Sequence, residues 1–130
     1  MNTKNTHVRH GLGTVRPYLY GHPDLLEFVM QVFGAEEIEH GKSSKGPHVE
    51  VKIGDSVVVV EIGDYDKSAY ATRASVYVYV EDVDATYQHA MQLGATSLAE
   101  PADQPYQERG AGVKDSFGNT WWIGTYKGAN

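Results

Sequence analysis

The sequence predicts an α+β fold in which two βαβββ modules follow one another along the chain. Three observations support this prediction. The 130 residues repeat at a spacing of 60, so that Asp24 corresponds to Asp84 and Gly34 to Gly94. In each half, an apolar stripe at helical spacing lies among segments that alternate apolar and polar residues, as strands do. A half of about 60 residues buries too little surface to be stable alone, so one domain is expected to contain both halves.

The first half is expected to open with a strand and a helix. Thr14 to Tyr20 has the mixed polarity of an edge strand. Pro17 also favours an edge position, because proline has no N–H to donate a hydrogen bond within a central strand. The helix is expected to begin at Pro23, a residue favoured in the first turn, and to end at Gly34. Its apolar face is formed by residues at helical spacing, namely Leu25, Phe28, Val29, Val32 and Phe33.

Three strands are expected after this helix. Their ranges are Glu36 to His40, His48 to Ile53 and Val57 to Ile62, with a polar loop from Gly41 to Pro47. In the middle strand the apolar residues occupy one face, and His48, Glu50 and Lys52 occupy the other. Gly54-Asp55 is a typical hairpin turn between the last two strands.

The second half repeats this order. Valines alternate with Ser75, Tyr77 and Tyr79 in the first strand, and Asp82 is a suitable N-cap for a helix that ends at Gly94. A strand from Thr96 to Ala99, a proline-containing loop from Glu100 to Gln107, and a hairpin of Gly112 to Lys114 with Thr120 to Thr125 complete it. A single domain of residues 1–130 is expected, with module one at about 12–64 and module two at about 72–127. Residues 1–13 are polar and are expected to be loosely held.

Composition narrows the possible functions. The formal net charge of −6 argues against nucleic-acid binding, which requires a basic surface. The chain has no cysteine, so it has no disulfide, thiolate nucleophile or thiolate metal ligand. No apolar stretch approaches the roughly 18 residues of a membrane span, and the polar start of the chain lacks an apolar signal core. We therefore expect a cytoplasmic protein with neither a nucleic-acid nor a membrane partner.

Four short motifs occur in order along the chain. They are Pro17-Tyr18-Leu19, Phe33-Gly34-Ala35-Glu36, Val80-Glu81-Asp82-Val83-Asp84 and the closing segment from Gly112 to Trp122, which contains Asp115-Ser116-Phe117-Gly118-Asn119. In this order they resemble the vicinal oxygen chelate superfamily, which includes glyoxalase I and the bleomycin-resistance proteins. Ser116 stands where that family usually has proline. The resemblance extends from Thr14 to Tyr126 and implies a curved mixed sheet with a concave cleft, usually in a homodimer.

Enzymes of this superfamily hold a divalent metal with His, Gln or Glu on the first and last strands of each module. The resemblance places these ligand positions at Ser75 and Trp122 in the second half, and near Val15 and Val58 in the first. Valine and tryptophan offer no donor atom for a metal, and serine is a poor ligand at neutral pH. Neither the family's metal centre nor any other cofactor is therefore expected.

His48 and Glu50 are the candidate polar site residues of the first half. They lie on one face of a strand and both carry donor atoms, so a relocated metal site is one interpretation. The other is that alternating polar residues simply mark the solvated face of the strand. The remaining histidines have no ligand spacing and are expected at the surface; they are His7, His10, His22, His40 and His89.

Aromatic residues are the candidate ligand contacts of the second half. Alternation directs Tyr77, Tyr79 and Trp122 towards the concave side of the sheet, where stacking and cation–π contacts with a ligand are possible. The alternative is that these rings fill a core or a dimer interface. Tyr106 and Arg109 are expected in a loop at the rim of the cleft. Arg109 is suited either to an anionic group of a ligand or to a nearby acid.

These patterns favour a metal-free protein that binds a small molecule, similar to the bleomycin-resistance branch, with a cationic or aromatic ligand. One alternative is a glyoxalase-like lyase, isomerase or dioxygenase relative with relocated metal ligands, or a metal-free acid–base catalyst that uses Glu50 or His48. Another is an interaction module whose cavity has no ligand. We expect a homodimer in the first case, because a second copy restores symmetry to a cleft that two diverged halves cannot make symmetric.

Overall fold

The computed structural model describes residues 7–66, 68, 69 and 71–130. The chain divides into two compact units, unit 1 (Met1–Thr72) and unit 2 (Arg73–Asn130). Each unit contains one α-helix and one four-stranded sheet, and its elements follow the order βαβββ. The predicted α+β fold class of tandem modules is confirmed.

The helices and strands have the following bounds. Unit 1 contains β1 (Tyr18–Gly21), α1 (Pro23–Phe33), β2 (Glu36–Ser43), β3 (Gly46–Ile53) and β4 (Ser56–Ile62); unit 2 contains β5 (Ser75–Tyr79), α2 (Val83–Gln92), β6 (Thr96–Gln104), β7 (Glu108–Lys114) and β8 (Thr120–Tyr126). The strand orders are β1-β4-β3-β2 and β5-β8-β7-β6. In each unit the first strand runs parallel to the last strand, and the remaining pairs are antiparallel.

Each helix forms where the sequence predicts it. Pro23 occupies the first turn of α1, and Gly34 ends the helix in the left-handed conformation at φ 62°. Asp82 caps α2, since its carboxylate accepts a hydrogen bond from the backbone N–H of Ala85 at 3.0 Å. The predicted apolar stripe of α1 is buried except at Phe33, which is half-buried. Burial of this stripe stabilises the helix more than intrinsic propensity does.

The β7–β8 hairpin is held by a buried carboxylate. Asp115 is 5% exposed and accepts hydrogen bonds from the backbone N–H groups of Phe117 and Asn119 and from the indole N–H of Trp121, the last at 2.8 Å. This network holds Trp121 in the core, where it is fully buried. Strand alternation then turns the next residue, Trp122, to the opposite face of the sheet.

Four strands, β1, β2, β6 and β7, differ by three residues or more from the prediction, and β7 begins at Glu108 instead of Gly112. β1 begins only at Tyr18, because Pro17 lacks an N–H for the ladder. β2 continues to Ser43 and pairs with the start of β3, so the predicted polar loop is largely a hairpin. β6 extends through Pro101 to Gln104, with a register shift between Ala99 and Ala102. A bulge on an edge strand accommodates proline, and local sequence patterns do not reveal it.

Residues 1–13 were expected to be loosely held. Residues 7–13, the part of this segment that the structure describes, are instead anchored to unit 1. Arg9–Gly11 forms a 3-10 turn, and a Cβ placed on Gly13 would approach the side chain of Val57 to 2.7 Å. Val57 is fully buried on the sheet face that this segment covers. Residues 1–6 lie outside the described part of the chain.

Among the described residues, no helix has the length and apolar character needed to cross a membrane.

Candidate functional site

One face of the unit 2 sheet is aromatic and exposed. Pairing of β5, β7 and β8 places on it, among others, five side chains that we call the tyrosine face: Tyr77, Tyr79, Glu108, Trp122 and Tyr126. Tyr79 is 63% exposed, and Tyr77 and Trp122 are 44% and 38% exposed. Val78, Trp121 and Ile123 occupy the opposite face and are buried. The predicted division of these strands into two faces agrees with this burial.

Glycines allow the aromatic rings to lie flat on the sheet. A Cβ on Gly112 would lie 2.4 Å from the indole of Trp122, and a Cβ on Gly124 would lie 2.1 Å from the Tyr77 hydroxyl. Neither approach is sterically possible for a residue with a side chain unless the ring moves. The two glycines therefore set the position of Tyr77 and Trp122 on the tyrosine face.

A carboxylate lies among the tyrosines. Tyr77 donates its hydroxyl hydrogen to one oxygen of Glu108, and Tyr79 donates to the other. The two rings are 5.2 Å apart at their centroids. The hydroxyls of Tyr77 and Tyr79 stabilise the carboxylate and hold the pKa of Glu108 below its ordinary value. Burial, together with the hydrogen bond to Glu108, raises the pKa of Tyr77. Glu108 therefore presents a fixed negative charge framed by aromatic rings.

An open cavity adjoins this carboxylate. It has a volume of about 550 Å³ and is lined by Tyr79, Val80, Glu108, Tyr126 and Asn130. That volume accommodates a small organic molecule. Tyr106, predicted at the rim of the cleft, lies in the turn before β7 and is 60% exposed.

Arg109 does not lie on the tyrosine face. It belongs to β7 rather than to a loop, and strand alternation directs it to the side opposite Glu108. Its guanidinium donates to both oxygens of Asp84, each at 2.9 Å, and to Asp103 at 3.3 Å. The hydrogen bonds from Arg109 lower the pKa of Asp84. Of the two interpretations of Arg109, the ion pair with nearby acids describes the structure.

The unit 1 sheet carries a charged cluster where unit 2 carries rings. His48 and Glu50 on β3 share a face with Glu61 on β4. Nδ1 of His48 lies 2.7 Å from Glu61, and its Nε2 lies 3.3 Å from Glu50. Glu50 and Glu61 are 6% and 7% exposed, so this is a buried arrangement and not the solvated face that alternation alone suggested. Partial burial lowers the pKa of His48, but the hydrogen bonds to Glu61 and Glu50 outweigh it and the net pKa is raised.

The N-terminal segment completes this cluster with cations. Arg16 donates to Glu50 at 3.1 Å, and Arg9 donates to Glu39 at 2.7 Å. Nε2 of His10 lies 2.9 Å from Glu39 and 3.3 Å from Glu50. We call this set the carboxylate cluster; its members are Arg9, His10, Arg16, Glu39, His48, Glu50 and Glu61. His10 is exposed as predicted, yet it contacts buried Glu50.

Sheet register corrects the first-half positions that correspond to Ser75 and Trp122. Tyr77 pairs with Trp122 in unit 2, and Tyr18 pairs with Val59 in unit 1. Counting back two residues from each tyrosine, Ser75 corresponds to Arg16. The first-half positions are thus Arg16 and Val59, each one residue beyond the predicted Val15 and Val58. Tyr18 lies five residues before the start of α1 and Tyr77 lies six before the start of α2, which accounts for the shift to Arg16; Val59 follows from its pairing with Tyr18.

The residues at these positions do not fit a divalent metal. Valine and tryptophan have no metal-binding donor atom, and the guanidinium of Arg16 is itself a cation without an acceptor. Away from them, His10, Glu39 and Glu50 offer donor atoms within 4.8 Å of one another. Arg9 and Arg16 already neutralise those two carboxylates, which opposes binding of a further cation there.

Some of these side chains had no signal in the sequence. A predicted β7 that began four residues earlier would have included Glu108. Strand alternation would then have placed Glu108 on the same face as the tyrosines. Arg9 and His10 belong to a segment without strand or helix periodicity, and Arg16, inside the predicted strand from Thr14 to Tyr20, precedes β1 in the structure. Only the tertiary path of that segment brings them to Glu39 and Glu50.

Comparison with solved structures shows the same fold. The chain is similar to TioX from Micromonospora sp. ML1, with a TM-score of 0.69 and 22% identity over 86% of this chain and 97% of that chain. It is also similar to the fosfomycin resistance protein FosX from Listeria monocytogenes, with a TM-score of 0.64 and 16% identity over 87% and 92% of the two chains. Lactoylglutathione lyase from Agrobacterium tumefaciens gives a TM-score of 0.64 and 18% identity over 88% and 94%. At these identities the likeness is one of fold.

Sequence comparison identifies the family. An uncharacterized protein of Mycobacterium bovis is 38% identical over 53 residues, which is 41% of this chain. The match spans 35% of that relative's length. The model of the Glyoxalase/Bleomycin resistance protein/Dioxygenase superfamily matches residues 22–123. Since this match includes most of both units, the chain belongs to that superfamily.

Proposed function

We propose that this chain is a small-molecule-binding protein that holds a planar organic cation against the tyrosine face of unit 2 without a metal. The observation that carries the proposal is Glu108, a carboxylate bonded to two exposed tyrosine hydroxyls beside an open cavity. A carboxylate attracts a cationic group, and the rings offer cation–π and stacking contacts of about 0.5–2 kcal/mol each.

The charge of Glu108 favours a cation over an anion at this part of the sheet. Arg109, the arginine next to Glu108 in sequence, is bound to Asp84 and Asp103 on the other side of the sheet. The net charge of −6 acts in the same direction. Similarity in fold to a fosfomycin resistance protein supports small-molecule binding.

A pair of planar dyes tests the proposal. Proflavine is a cation at pH 8, whereas acridine has the same ring system and is neutral there. We expect proflavine to bind more tightly in a fluorescence titration. Glu108→Gln keeps the size of the side chain and removes its charge, so it should weaken proflavine binding about tenfold or more, which is about 1.4 kcal/mol. Its affinity for acridine should change little.

Glu100→Gln is the matched control, because Glu100 is an exposed acid of β6 in the same unit. It should leave proflavine binding unchanged. Equal affinity for the two dyes in the wild-type protein would contradict the choice of a cation. Full proflavine affinity in Glu108→Gln would contradict the assignment of Glu108.

A second candidate function is catalysis by a lyase, isomerase or dioxygenase relative. The observation in its favour is His48, held between Glu61 and Glu50 in an arrangement suited to proton transfer. An assay for lactoylglutathione lyase activity, with and without added Zn²⁺ or Ni²⁺, tests one such reaction. Turnover that is lost in His48→Gln would favour this candidate over simple binding.

We further propose that the protein is a homodimer in solution. The two units present different surfaces, rings in unit 2 and the carboxylate cluster in unit 1, and a second copy related by a two-fold axis would give each of them a symmetric counterpart.

A further inference from the structure

Arg16 is held as a fixed cation in unit 1. Its guanidinium donates to the carbonyl oxygens of Gly13 and Leu12, each at 2.9 Å, and to the carbonyl oxygen of Arg9. Its remaining contact is the carboxylate of Glu50 at 3.1 Å. The side chain is 15% exposed, so this is not a mobile surface pair.

Glu50 requires such a cation because it is buried. A carboxylate that is 6% exposed is strongly destabilised unless a positive charge and hydrogen bonds replace its water. His10 and His48 also approach its two oxygens, each at 3.3 Å. Arg16 is the guanidinium among these three groups, and a guanidinium is a donor-only cation.

Arg16 also occupies a particular place on the sheet. It corresponds to Ser75, the first residue of β5 in unit 2. The resemblance of this chain to the superfamily placed a metal ligand at that position. A divalent ion bound to the same oxygen of Glu50 would lie close to the guanidinium and be repelled by it. A guanidinium thus stands where a metal-binding relative would carry a donor atom.

We propose that Arg16 is a built-in cation that takes the place of a divalent metal in unit 1, so that removal of its charge creates a metal site. The donor atoms are already together, since His10, Glu39 and Glu50 lie within 4.8 Å of one another. His48 and Glu61 adjoin them through Glu50. Imidazole and carboxylate donors of this kind suit Zn²⁺.

Arg16→Met tests this proposal, because methionine keeps the apolar stem of the side chain and removes the charge. Isothermal titration with Zn²⁺ should show binding about 100-fold tighter than to the wild-type protein. The melting temperature of Arg16→Met should rise with Zn²⁺, while that of the wild type should not. Wild-type affinity equal to that of Arg16→Met would overturn the proposal.

Three further variants separate this site from adventitious zinc binding. Arg16→Lys keeps the charge and should gain no affinity. Arg109→Met also frees two carboxylates, Asp84 and Asp103, but without a histidine in that cluster, and should gain none. Adding Glu50→Gln to Arg16→Met should abolish the gain. A gain that survives Glu50→Gln, or appears equally in Arg109→Met, would overturn the assignment.

Loss of folding in Arg16→Met would also be informative. A buried carboxylate without its cation destabilises unit 1, and an ion that replaces the guanidinium should reverse this. Far-UV circular dichroism of an unfolded Arg16→Met should then recover on addition of Zn²⁺. Failure to recover, or a folded variant without zinc affinity, would overturn the proposal.

Discussion

His48 is the residue whose charge state links the site of unit 1 to stability. Each ring nitrogen faces a carboxylate, Glu61 on one side and Glu50 on the other. This arrangement raises the pKa of His48 despite partial burial. Because the pKa of His48 is higher in the folded than in the unfolded state, protonation of its imidazole stabilises the fold. This contribution is fully present at pH values below the unfolded pKa of about 6.5. That contribution is lost as pH rises through the folded pKa.

His48→Gln should therefore destabilise the protein more at pH 6 than at pH 9. Glutamine can still form hydrogen bonds but carries no charge, so only the wild type loses stability over this range through position 48. Thermal melts of both proteins at the two pH values measure the difference. His40→Gln, the same substitution at an exposed histidine, is the control for the substitution itself. A gap between wild type and His48→Gln that is equal or larger at pH 9 would contradict the prediction.

Single residues of the site were predicted unevenly from sequence. The placement of Tyr77, Tyr79 and Trp122 on one face of unit 2 follows from alternation alone, because neighbouring strands keep the parity of their side chains. Burial of Glu50 did not follow, since the alternation of β3 is equally consistent with a solvated face. A segment from outside the sheet covers that residue, and strand periodicity carries no information about such a segment.

At the scale of elements, the two sheets show how one strand pattern produces two different surfaces. In register, His48 of β3 corresponds to Gly110 of β7, and Glu50 corresponds to Gly112. Side chains at these positions build the carboxylate cluster of unit 1. Their absence in unit 2 leaves room for the indole of Trp122 to lie on the strand.

Gly124→Ala should displace Tyr77 from the tyrosine face. The added methyl would lie 2.1 Å from the Tyr77 hydroxyl, so the ring must rotate away from Glu108. We expect proflavine affinity to fall several-fold, with little change in melting temperature because Tyr77 is 44% exposed. Gly110→Ala on the paired position of β7 is the matched control, since its methyl would meet its nearest neighbour at an ordinary 3.5 Å. Equal proflavine affinity in both variants would contradict this account.

Element boundaries were predicted well where a chemical signal marks them. Pro23, Gly34 and Asp82 mark helix ends through ring geometry, a left-handed φ and a side-chain cap, and the helices begin and end there. β2 and β6 are longer than predicted because each is an edge strand with an irregular register. Edge strands pair on one side only, so their sequences need little apolar alternation.

At the scale of the whole molecule, the exposed aromatic residues are candidates for two roles, the proposed ligand site and the interface of the proposed homodimer. If the tyrosine face binds a ligand, a charge placed there should leave the oligomeric state unchanged. If it is the interface between two copies, the same charge should dissociate the dimer by burying an unpaired carboxylate.

We predict that sedimentation equilibrium yields twice the chain mass of 14.3 kDa for the wild type and also for Tyr79→Glu. Tyr79 is the most exposed side chain of the tyrosine face, so the substitution itself should be well tolerated. Leu98→Ser, at an exposed leucine outside that face, is the matched surface control. A monomeric Tyr79→Glu would assign the rings to a dimer interface, and a monomeric wild type would contradict the homodimer.

The sequence by itself determined the architecture of this protein: two βαβββ modules, their helix ends, and an aromatic face on the second sheet. These features depend on local periodicity and on residues with special backbone geometry, which a chain reveals without its fold. Tertiary structure alone decided the charged site of unit 1. Arg16 and Glu50 are 34 positions apart and meet because a segment without regular structure crosses the sheet. Burial and charge pairing depend on that path through space, and no sequence period records it.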